Sequence, residues 1–251
     1  MATPLVLTGC RVFAGGYDLT ADSNKVEVSA QFEEKDVTTF LPTTDPNVGW
    51  KKVLGGLGSA KIVGGGNWGA ASNGSIDDFA LGALGTTTPH SVYATDANEG
   101  SLGYFTNTLV KNYQFFGSVG DVASWTLDDE SAWPLVRGQS LEAPGTARTA
   151  TGSGTAVQIG AVPAGKSMYA ALHVLSVSGS GSPTLTVRIQ SDTVGFPSPV
   201  TQLTFTAATA IGGQILRTTP GAITDDYWRV DFTISGSSPS FLFVVTAGIS
   251  V

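Results

Sequence analysis

The residues whose spacing matches a known chemical motif are Gly160, Gly165, Lys166 and Ser167, in the octapeptide GAVPAGKS. This is the G-x-x-x-x-G-K-S pattern of a phosphate-binding loop, in which backbone amides cradle phosphates and the serine binds magnesium. Such a loop has to connect a strand to a helix. Here a series of short strand patterns follows, without alternating helices. We therefore interpret the match as a hairpin loop with a solvated lysine, and we expect no nucleotide or other cofactor.

Histidines and acidic clusters form no pattern that supports catalysis or metal binding. His90 and His173 have no cysteine or histidine neighbours at the spacing of metal ligands. Two carboxylates would serve a glycosidase only if they faced each other across a cleft. The clusters at 77–78, 128–130 and 225–226 lie beside turns or element ends, where Asp commonly accepts backbone hydrogen bonds. The chain is therefore expected not to be an enzyme and to hold no metal.

Composition predicts that short strands and turns position these residues. Only 13% of the residues are charged, and 32 of the 251 residues are glycine. This predicts an all-β fold in the main. Cys10 is the only cysteine, so no internal disulfide is expected. The sequence contains no run of 18 or more apolar residues, so no membrane insertion is predicted. The net charge of −7 argues against tight general binding of nucleic acid.

A difference in charge along the chain indicates two domains. Residues 1–145 contain 16 acidic and 8 basic side chains, whereas residues 146–251 contain 4 and 5. The small, polar stretch GQSLEAPGTARTATGSGT predicts a linker over about 138–154. We predict a first β domain at 1–142 and a second at 143–251. The second is predicted to be a β-sandwich of immunoglobulin-like or jelly-roll type.

The predicted elements are strands, apart from one short helix. The helix is predicted over 75–84, with Ser75 as its N-cap and two acidic residues near the positive end of its dipole. In the first domain, strands are predicted at 5–13, 25–34, 36–41, 59–69, 90–95, 101–117, 122–130 and 134–137. In the second domain, they are predicted at 155–161, 168–177, 184–191, 200–206, 212–218, 226–235 and 240–249.

The stretch from 18 to 40 combines strict alternation with a concentration of acidic residues. The side chains predicted to face the core are Val26, Val28, Ala30 and Phe32. The opposite, wet face consists of Lys25, Glu27, Ser29, Gln31 and Glu33. Six acidic and two basic residues lie between positions 18 and 36. The wet face is therefore predicted to be acidic.

Three segments of the first domain resemble the major tail (tail tube) proteins of long-tailed bacteriophages. They are GGYDLTADSNKVEVSAQFEEKDVTTF, GLGSAKIVGGGNW and GSLGYFTNTLVKNYQFFGSVGDVASWTLDDESAWPLVRG. The resemblance covers about residues 5–142 and consists of strand patterns rather than a catalytic signature. It implies a tail-tube-type β-sandwich or barrel with one short flanking helix. Residues 143–251 would be an extra domain on the outside.

The resemblance also implies an assembly in the virion tail. Six copies would form a ring whose inner sheets join into a continuous barrel, and stacked rings would conduct DNA during ejection. Lys25, Glu27, Ser29, Gln31 and Glu33 would then line the lumen. An acidic wall there would repel phosphates over about a Debye length, roughly 8–10 Å. The implied partners are further copies of the chain and the tape measure, tail terminator and baseplate proteins, after synthesis in the cytoplasm of the bacterial host.

The irregular loop at 41–56 is the candidate for contacts between stacked rings. Its residues of interest are Pro42, Asp45, Pro46, Trp50, Lys51 and Lys52. A segment of low regularity can become ordered when the protein assembles. The alternative is an ordinary surface loop.

Two other classes of function fit the same composition. The chain could be a capsid decoration protein or a structural protein of the baseplate. Its second domain could instead be a carbohydrate-binding module. The candidate glycan contact is then Tyr227, an aromatic side chain on the predicted outer face of its strand.

Overall fold

The fold is antiparallel β throughout the residues that the computed structural model describes, which are 6–69 and 75–251. These residues contain one helix, α1 (Ile76–Ala83). The strands of the first part are β1 (Arg11–Ala14), β2 (Tyr17–Asp18), β3 (Ser23–Asp36), β4 (Val53–Asn67), β5 (Thr87–Tyr93), β6 (Leu102–Phe116), β7 (Ser124–Ser131) and β8 (Val136–Glu142). Those of the second part are β9 (Gly152–Ser153), β10 (Val157–Gln158), β11 (Ser167–Asp192), β12 (Val200–Thr204), β13 (Gly212–Arg217) and β14 (Tyr227–Ser250). The predicted all-β class with one short helix is confirmed.

The strands follow two branches that meet at β6. One branch runs in the order β12-β11-β14-β8-β6-β5-β1-β2. The other runs β3-β4-β7-β6, and we call it the open-edged sheet. Long β6 belongs to both, because its first half pairs with β5 and β8 while its second half pairs with β7.

Helix α1 covers one face of the open-edged sheet. Ile76, Phe79, Ala80 and Ala83 of the helix are buried, and they pack in one core cluster with sheet residues such as Ile62. The remaining buried members of this cluster are Val12, Ala14, Leu19, Val92, Val110, Trp125 and Leu127. The helix and the core therefore cover this face of the sheet where they contact it, and the opposite face is exposed.

The start of α1 differs from the predicted cap. Ser75 occupies the N-cap position but makes no side-chain capping hydrogen bond. Instead, the Ile76 N–H donates to Asp22 Oδ2 at 3.1 Å. Asp22 lies in the turn before β3, so this carboxylate satisfies an orphan donor of the helix and ties the helix to the sheet.

The second part is built on two long strands where the sequence predicts four. Predicted strands 168–177 and 184–191 are both parts of β11, and 226–235 and 240–249 are both parts of β14. The two strands pair along nearly their full length, with register shifts between Val174 and Thr184. Gly179 and Gly236 have φ angles of 126° and 116° there, which only glycine adopts readily. The small polar residues between the predicted strands thus form a kink within a continuous ladder.

The two parts share a seam of strand pairing. Gly138 of β8 pairs with Gly248 of β14, and Glu142 pairs with Val245. The predicted linker over 138–154 is therefore wrong at its start, because residues 138–142 are largely buried strand. The polar composition of this stretch predicts a loop, but Gly138 lets two backbones approach closely and the stretch forms a strand. The division into domains at 142–143 stays a prediction.

The predicted strand at 36–41 is also wrong, since β3 ends at Asp36. The Thr38 N–H donates to Asp36 Oδ1 at 2.9 Å, and the Lys52 N–H donates to Thr38 Oγ1 at 2.8 Å. These local side-chain bonds replace the ladder that a strand would need. At the other end of the connection, residues 53–56 of the predicted loop belong to β4.

Candidate functional site

The exposed face of the open-edged sheet is polar on all four strands. In the strand register, Ser29 of β3 lies opposite Lys61 of β4, which lies opposite Glu130 of β7. Opposed residues of antiparallel strands place their side chains on the same face. The predicted wet residues of β3 therefore share this surface with side chains of β4 and β7. Lys25, Glu27, Ser29, Gln31 and Glu33 are all exposed.

Charges on this face are paired rather than uniformly acidic. Lys25 Nζ lies 3.1 Å from Glu27 Oε1, and Lys35 pairs with Glu33. Lys111 lies 2.9 Å from Glu130 and 3.6 Å from Asp128. With Lys61 beside Glu130, the face carries four lysines and four carboxylates among the described residues. The hydrogen bond between Lys111 and Glu130 lowers the pKa of Glu130 and raises the pKa of Lys111. Both groups therefore stay charged at neutral pH.

The basic partners of this face were missed because they lie on strands far apart in sequence. Asp128 and Glu130 were interpreted as acids beside a turn, yet they lie within β7 and point outward. Between them, Asp129 points to the core, where its Oδ2 lies 2.9 Å from His90 Nδ1. The sequence signal for this was the alternation of apolar and polar residues along 124–131, which is typical of a strand with one exposed face.

The predicted dry face of β3 is only half buried. Val26 and Val28 pack against the core cluster beside α1. Ala30 is exposed, and the side chain of Phe32 is 76% exposed. The prediction that all four residues belong to the core is therefore wrong for the last two. They lie where the β3–β4 hairpin extends beyond the body of the protein.

We call this extension the arm, comprising residues 30–58. Its exposed apolar side chains are Phe32, Phe40, Val48, Trp50, Val53, Leu54 and Leu57. Phe40 is fully exposed and Trp50 is 75% exposed. A soluble monomer gains nothing from such a projection, and exposed apolar clusters of this kind commonly mark contacts with other proteins.

The residues predicted to contact a stacked ring lie at the tip of the arm. Turns shape the tip, because the Asp45 N–H donates to the Pro42 carbonyl and the Asn47 N–H donates to Asp45 Oδ1 at 2.8 Å. Pro46 follows Asp45 in this turn region. Lys51 pairs with Glu34 across the hairpin. The tip therefore has a defined fold while Trp50 and Lys52 remain exposed.

Both lateral edges of the open-edged sheet lack a partner strand. Among the described residues, β3 pairs only with β4, and residues 112–116 of β6 pair only with β7. Unpaired strand edges present backbone donors and acceptors that another strand can satisfy. The sheet can therefore be extended at both sides.

Aromatic side chains that we call the edge aromatics cluster at the free end of β6: Tyr113, Phe115 and Phe116 of β6 itself, and Trp68, which follows directly on β4. The Trp68 ring stacks on Phe115 with centroids 6.3 Å apart and meets Phe116 edge-on at 4.8 Å. Tyr113 OH donates to Asp77 Oδ1 at 3.0 Å, which anchors the group to α1. Phe115 and Phe116 remain partly exposed. The aromatic run YQFF is visible in the sequence. That it lies at an unpaired sheet edge follows only from the order of the strands.

The segment that matches a phosphate-binding loop leads into a strand rather than into a helix. Gly160 precedes a β-bridge at Val162, and the Lys166 N–H donates to the Pro163 carbonyl. Ser167 is buried and begins strand β11, and Gly165 lies in the turn before it. No helix follows, so the serine and the backbone amides lack the arrangement that phosphate binding requires.

Tyr227 is half-buried at the start of β14, opposite Asp192 in the register. The nearby Phe196 ring is covered by Arg229, whose guanidinium carbon lies 4.3 Å from the ring centroid. A glycan platform needs an open aromatic face. In the part of the chain that the structure describes, no second aromatic ring contacts Tyr227.

Neither a metal-ligand cluster nor a membrane-spanning helix is found in the part of the chain that the structure describes. Within residues 6–69 and 75–251, no group of three or more His, Cys, Asp or Glu side chains is arranged to hold a metal ion. Within the same residues, no helix has the length and apolar character needed to cross a membrane.

No family model and no curated protein matches the chain. Several solved structures are similar in fold. A chain from the virion of a native gene transfer agent particle is 23% identical, with a TM-score of 0.38 over 49% of this chain and 92% of its own. The sheath/tube terminator of an extracellular contractile injection system is 10% identical, with a TM-score of 0.42 over 54% and 97%. The Dit protein of phage SPP1 is 10% identical, with a TM-score of 0.36 over 96% and 99%. These TM-scores are all below 0.5 and assign no function to the chain.

Proposed function

We propose that the protein is a structural subunit of a bacteriophage tail tube, which assembles into stacked hexameric rings around a lumen that conducts DNA. The observation that carries this proposal is the open-edged sheet, with its polar, charge-paired face and two unpaired edges. A channel wall built from several copies needs these two properties together. The polar face would line the lumen, and α1 would lie outside it.

The directions of the strands favour closure into a ring. Neighbours in the order β3-β4-β7-β6 are all antiparallel. Strand β6 therefore runs opposite to β3, and the β3 edge of one copy meets the β6 edge of the next as an antiparallel pair. Repetition of this contact closes the sheets into a barrel, which removes every open edge.

The side chains at the two edges support the same contact. Ala30 and Phe32 of β3 lie on the core-facing side and lack cover in their own chain. Tyr113 and Phe115 of β6 lie on the same side, because they oppose the core residues Leu127 and Trp125. Joining the edges places both apolar sets on the same side of a continuous sheet, where side chains of the neighbouring copy can cover them.

The paired charges suit a surface over which DNA passes. Exposed lysines without partners would bind phosphates, and tight binding grows with each phosphate neutralised. Here the lysines are engaged by carboxylates on the same face. The lumen proposed for Lys25, Glu27, Ser29, Gln31 and Glu33 is thus close to neutral, and it neither grips DNA nor strongly repels it.

The arm is proposed to contact the next ring of the stack. Phe40 and Trp50 at its tip are exposed apolar groups that a second ring would bury. Copies at the ends of the tube would contact other tail proteins, among them tape measure, tail terminator and baseplate components. The protein would be made in the cytoplasm of the host and function in the virion.

Electron microscopy of the purified protein in negative stain tests the proposal. We expect hollow rings or tubes with sixfold symmetry. The variant Phe32→Asp should remain folded but lose these particles, because a charge would replace an apolar edge contact. Val194→Asp, at an exposed position in the second part, is the matched control and should assemble normally. A protein that stays monomeric at high concentration would contradict the proposal.

A further inference from the structure

A groove of about 660 Å³ lies beside the beginning of β3. Its walls come from residues 7–12, from the turn before β3 and from loop residues such as Asp96 and Pro144. Leu7, Cys10 and Val12 provide an apolar side, while Arg11, Lys25 and Asp96 provide charges of both signs. We call it the β3 groove. It adjoins the unpaired edge of β3, so any chain that pairs with this edge passes next to it.

The hairpin between β6 and β7 is an apolar projection without cover in its own chain. Its loop exposes Val119 completely and Val122 to 76%, and it follows directly on the edge aromatics. Phe116 has a φ of 80°, in the left-handed region that a bulky side chain rarely adopts. That conformation turns the chain into the loop while the Phe116 ring stays against Trp68.

The register shows that groove and hairpin lie at the same end of the sheet. Ser23 opposes Gly66, Gly66 opposes Trp125, and Trp125 opposes Phe115. One row across the sheet thus begins beside the β3 groove and ends at the edge aromatics. When the β6 edge of one copy joins the β3 edge of the next, the hairpin loop extends past this row toward the neighbour's groove.

We infer that the β6–β7 hairpin of each copy inserts into the β3 groove of the adjacent copy in the same ring. The apolar groups Val119 and Val122 face Leu7, Cys10 and Val12 of the neighbour. Asp121 is the only charged residue of the loop. It comes near Arg11 and Lys25 of the neighbour, which pair with Asp18 and Glu27 of their own chain. This inference rests on the proposed ring and names the contact that locks its subunits laterally.

Cysteine cross-linking in the assembled protein tests the inference, since Cys10 is the only cysteine of the chain and lines the groove. Three variants, Val119→Cys, Asp121→Cys and Val122→Cys, place a second thiol along the loop. A disulfide forms only when the two Cβ atoms approach to about 3.5–4.5 Å. We expect at least one variant to give, after mild oxidation, a ladder of reducible oligomers that ends at the ring size.

Two controls define the result. Val194→Cys, on the second part, should give no ladder, and Cys10→Ser in the reactive variant should abolish it. Normal rings without a ladder from any of the three variants would overturn the inference but leave the proposed function standing. Absence of rings in the parent protein would instead contradict the proposed function. The two failures are therefore distinguishable.

Discussion

His173 is a buried neutral group at the seam between the two parts. Its Nδ1 donates to the Gly15 carbonyl at 2.8 Å, since a carbonyl can only accept. Nε2 therefore accepts from Ser91 Oγ, also at 2.8 Å. Burial is the main reason that the pKa of His173 falls from 6.5 to about 4. Both ring nitrogens are used, so the neutral form is the one that fits.

Acid should weaken the fold through His173. Because its folded pKa lies below the unfolded value, its neutral form contributes stability that is complete above pH 6.5 and is lost as the pH falls toward 4. The loss amounts to about 3 kcal/mol at most. Urea unfolding between pH 7 and 4 measures it. His173→Asn keeps a donor for Gly15 but does not titrate, so the stability gap between the two proteins should shrink in acid; parallel curves would contradict this account.

At the residue scale, the sequence predicts which side chains are exposed better than it predicts which residues contact each other. Alternation alone placed Lys25, Glu27 and Glu33 on an exposed face, because period two is a property of the strand itself. It could not supply Lys61 or Lys111, since strand order decides which distant residues share that face. The same limit applies to His173, whose partners are about 80 and 160 positions away.

Strands β8 and β14 approach closely because glycines face each other there. A Cβ added at Gly138 would lie 2.1 Å from the Ala247 carbonyl oxygen, and one at Gly248 would lie 2.6 Å from the Arg137 oxygen. These contacts involve backbone, which cannot move aside without separating the strands. The glycines therefore permit the pairing that joins the two parts.

Gly138→Ala should accordingly destabilise the protein. Forced overpacking typically costs about 1–3 kcal/mol, and a backbone clash belongs at the upper end or beyond. Gly145→Ala is the matched control, because nothing lies within 4 Å of its added Cβ. Its stability should change by less than about 0.5 kcal/mol. Equal unfolding midpoints in urea for the two variants would show that the seam tolerates separation.

At the element scale, strand existence is predictable from sequence but strand length is not. Residues 101–117 were predicted almost to the residue, because apolar side chains continue through β6. The small residues around Gly179 and Gly236 instead suggested chain breaks, although they lie inside β11 and β14. Backbone pairing continues there because a facing strand supplies hydrogen bonds, and that partner is invisible in a local window.

The molecule as a whole is joined by more than strand pairing. Phe13 and Tyr93 of the first part pack with Val244 of the second, and Phe105 packs in a cluster with Tyr169. Shared clusters of this kind pack the two parts against each other. In the proposed ring, the second part would then be carried on the outside.

The charge balance of the face proposed to line the lumen should govern DNA passage. In the double variant Glu27→Lys with Glu33→Lys, Lys25 and Lys35 lose their partners and the net charge of the face rises by four. Such a wall would bind phosphates and slow ejection, with a delay that shrinks at high salt. The rate of DNA release from virions carrying the variant measures this effect.

The control carries the same change of charge on the second part, as Asp226→Lys with Asp231→Lys. It should eject DNA at the normal rate. Unchanged ejection from the lumen variant, in virions that assemble normally, would count against the assignment of this face to the lumen.

The pairing between β8 and β14 can form only after β14, near the end of the given sequence, has been synthesised. Gly138 and its partner Gly248 are about 110 residues apart, so the ribosome adds the partner roughly 5–20 s after β8. Until then, β8 pairs only with β6, and the edge that will pair with β14 is open. We expect nascent chains stalled near residue 220 to be cleaved by protease within residues 136–142, and full-length chains to resist. A subunit interrupted during synthesis would then be degraded before it could enter, and block, a growing tube.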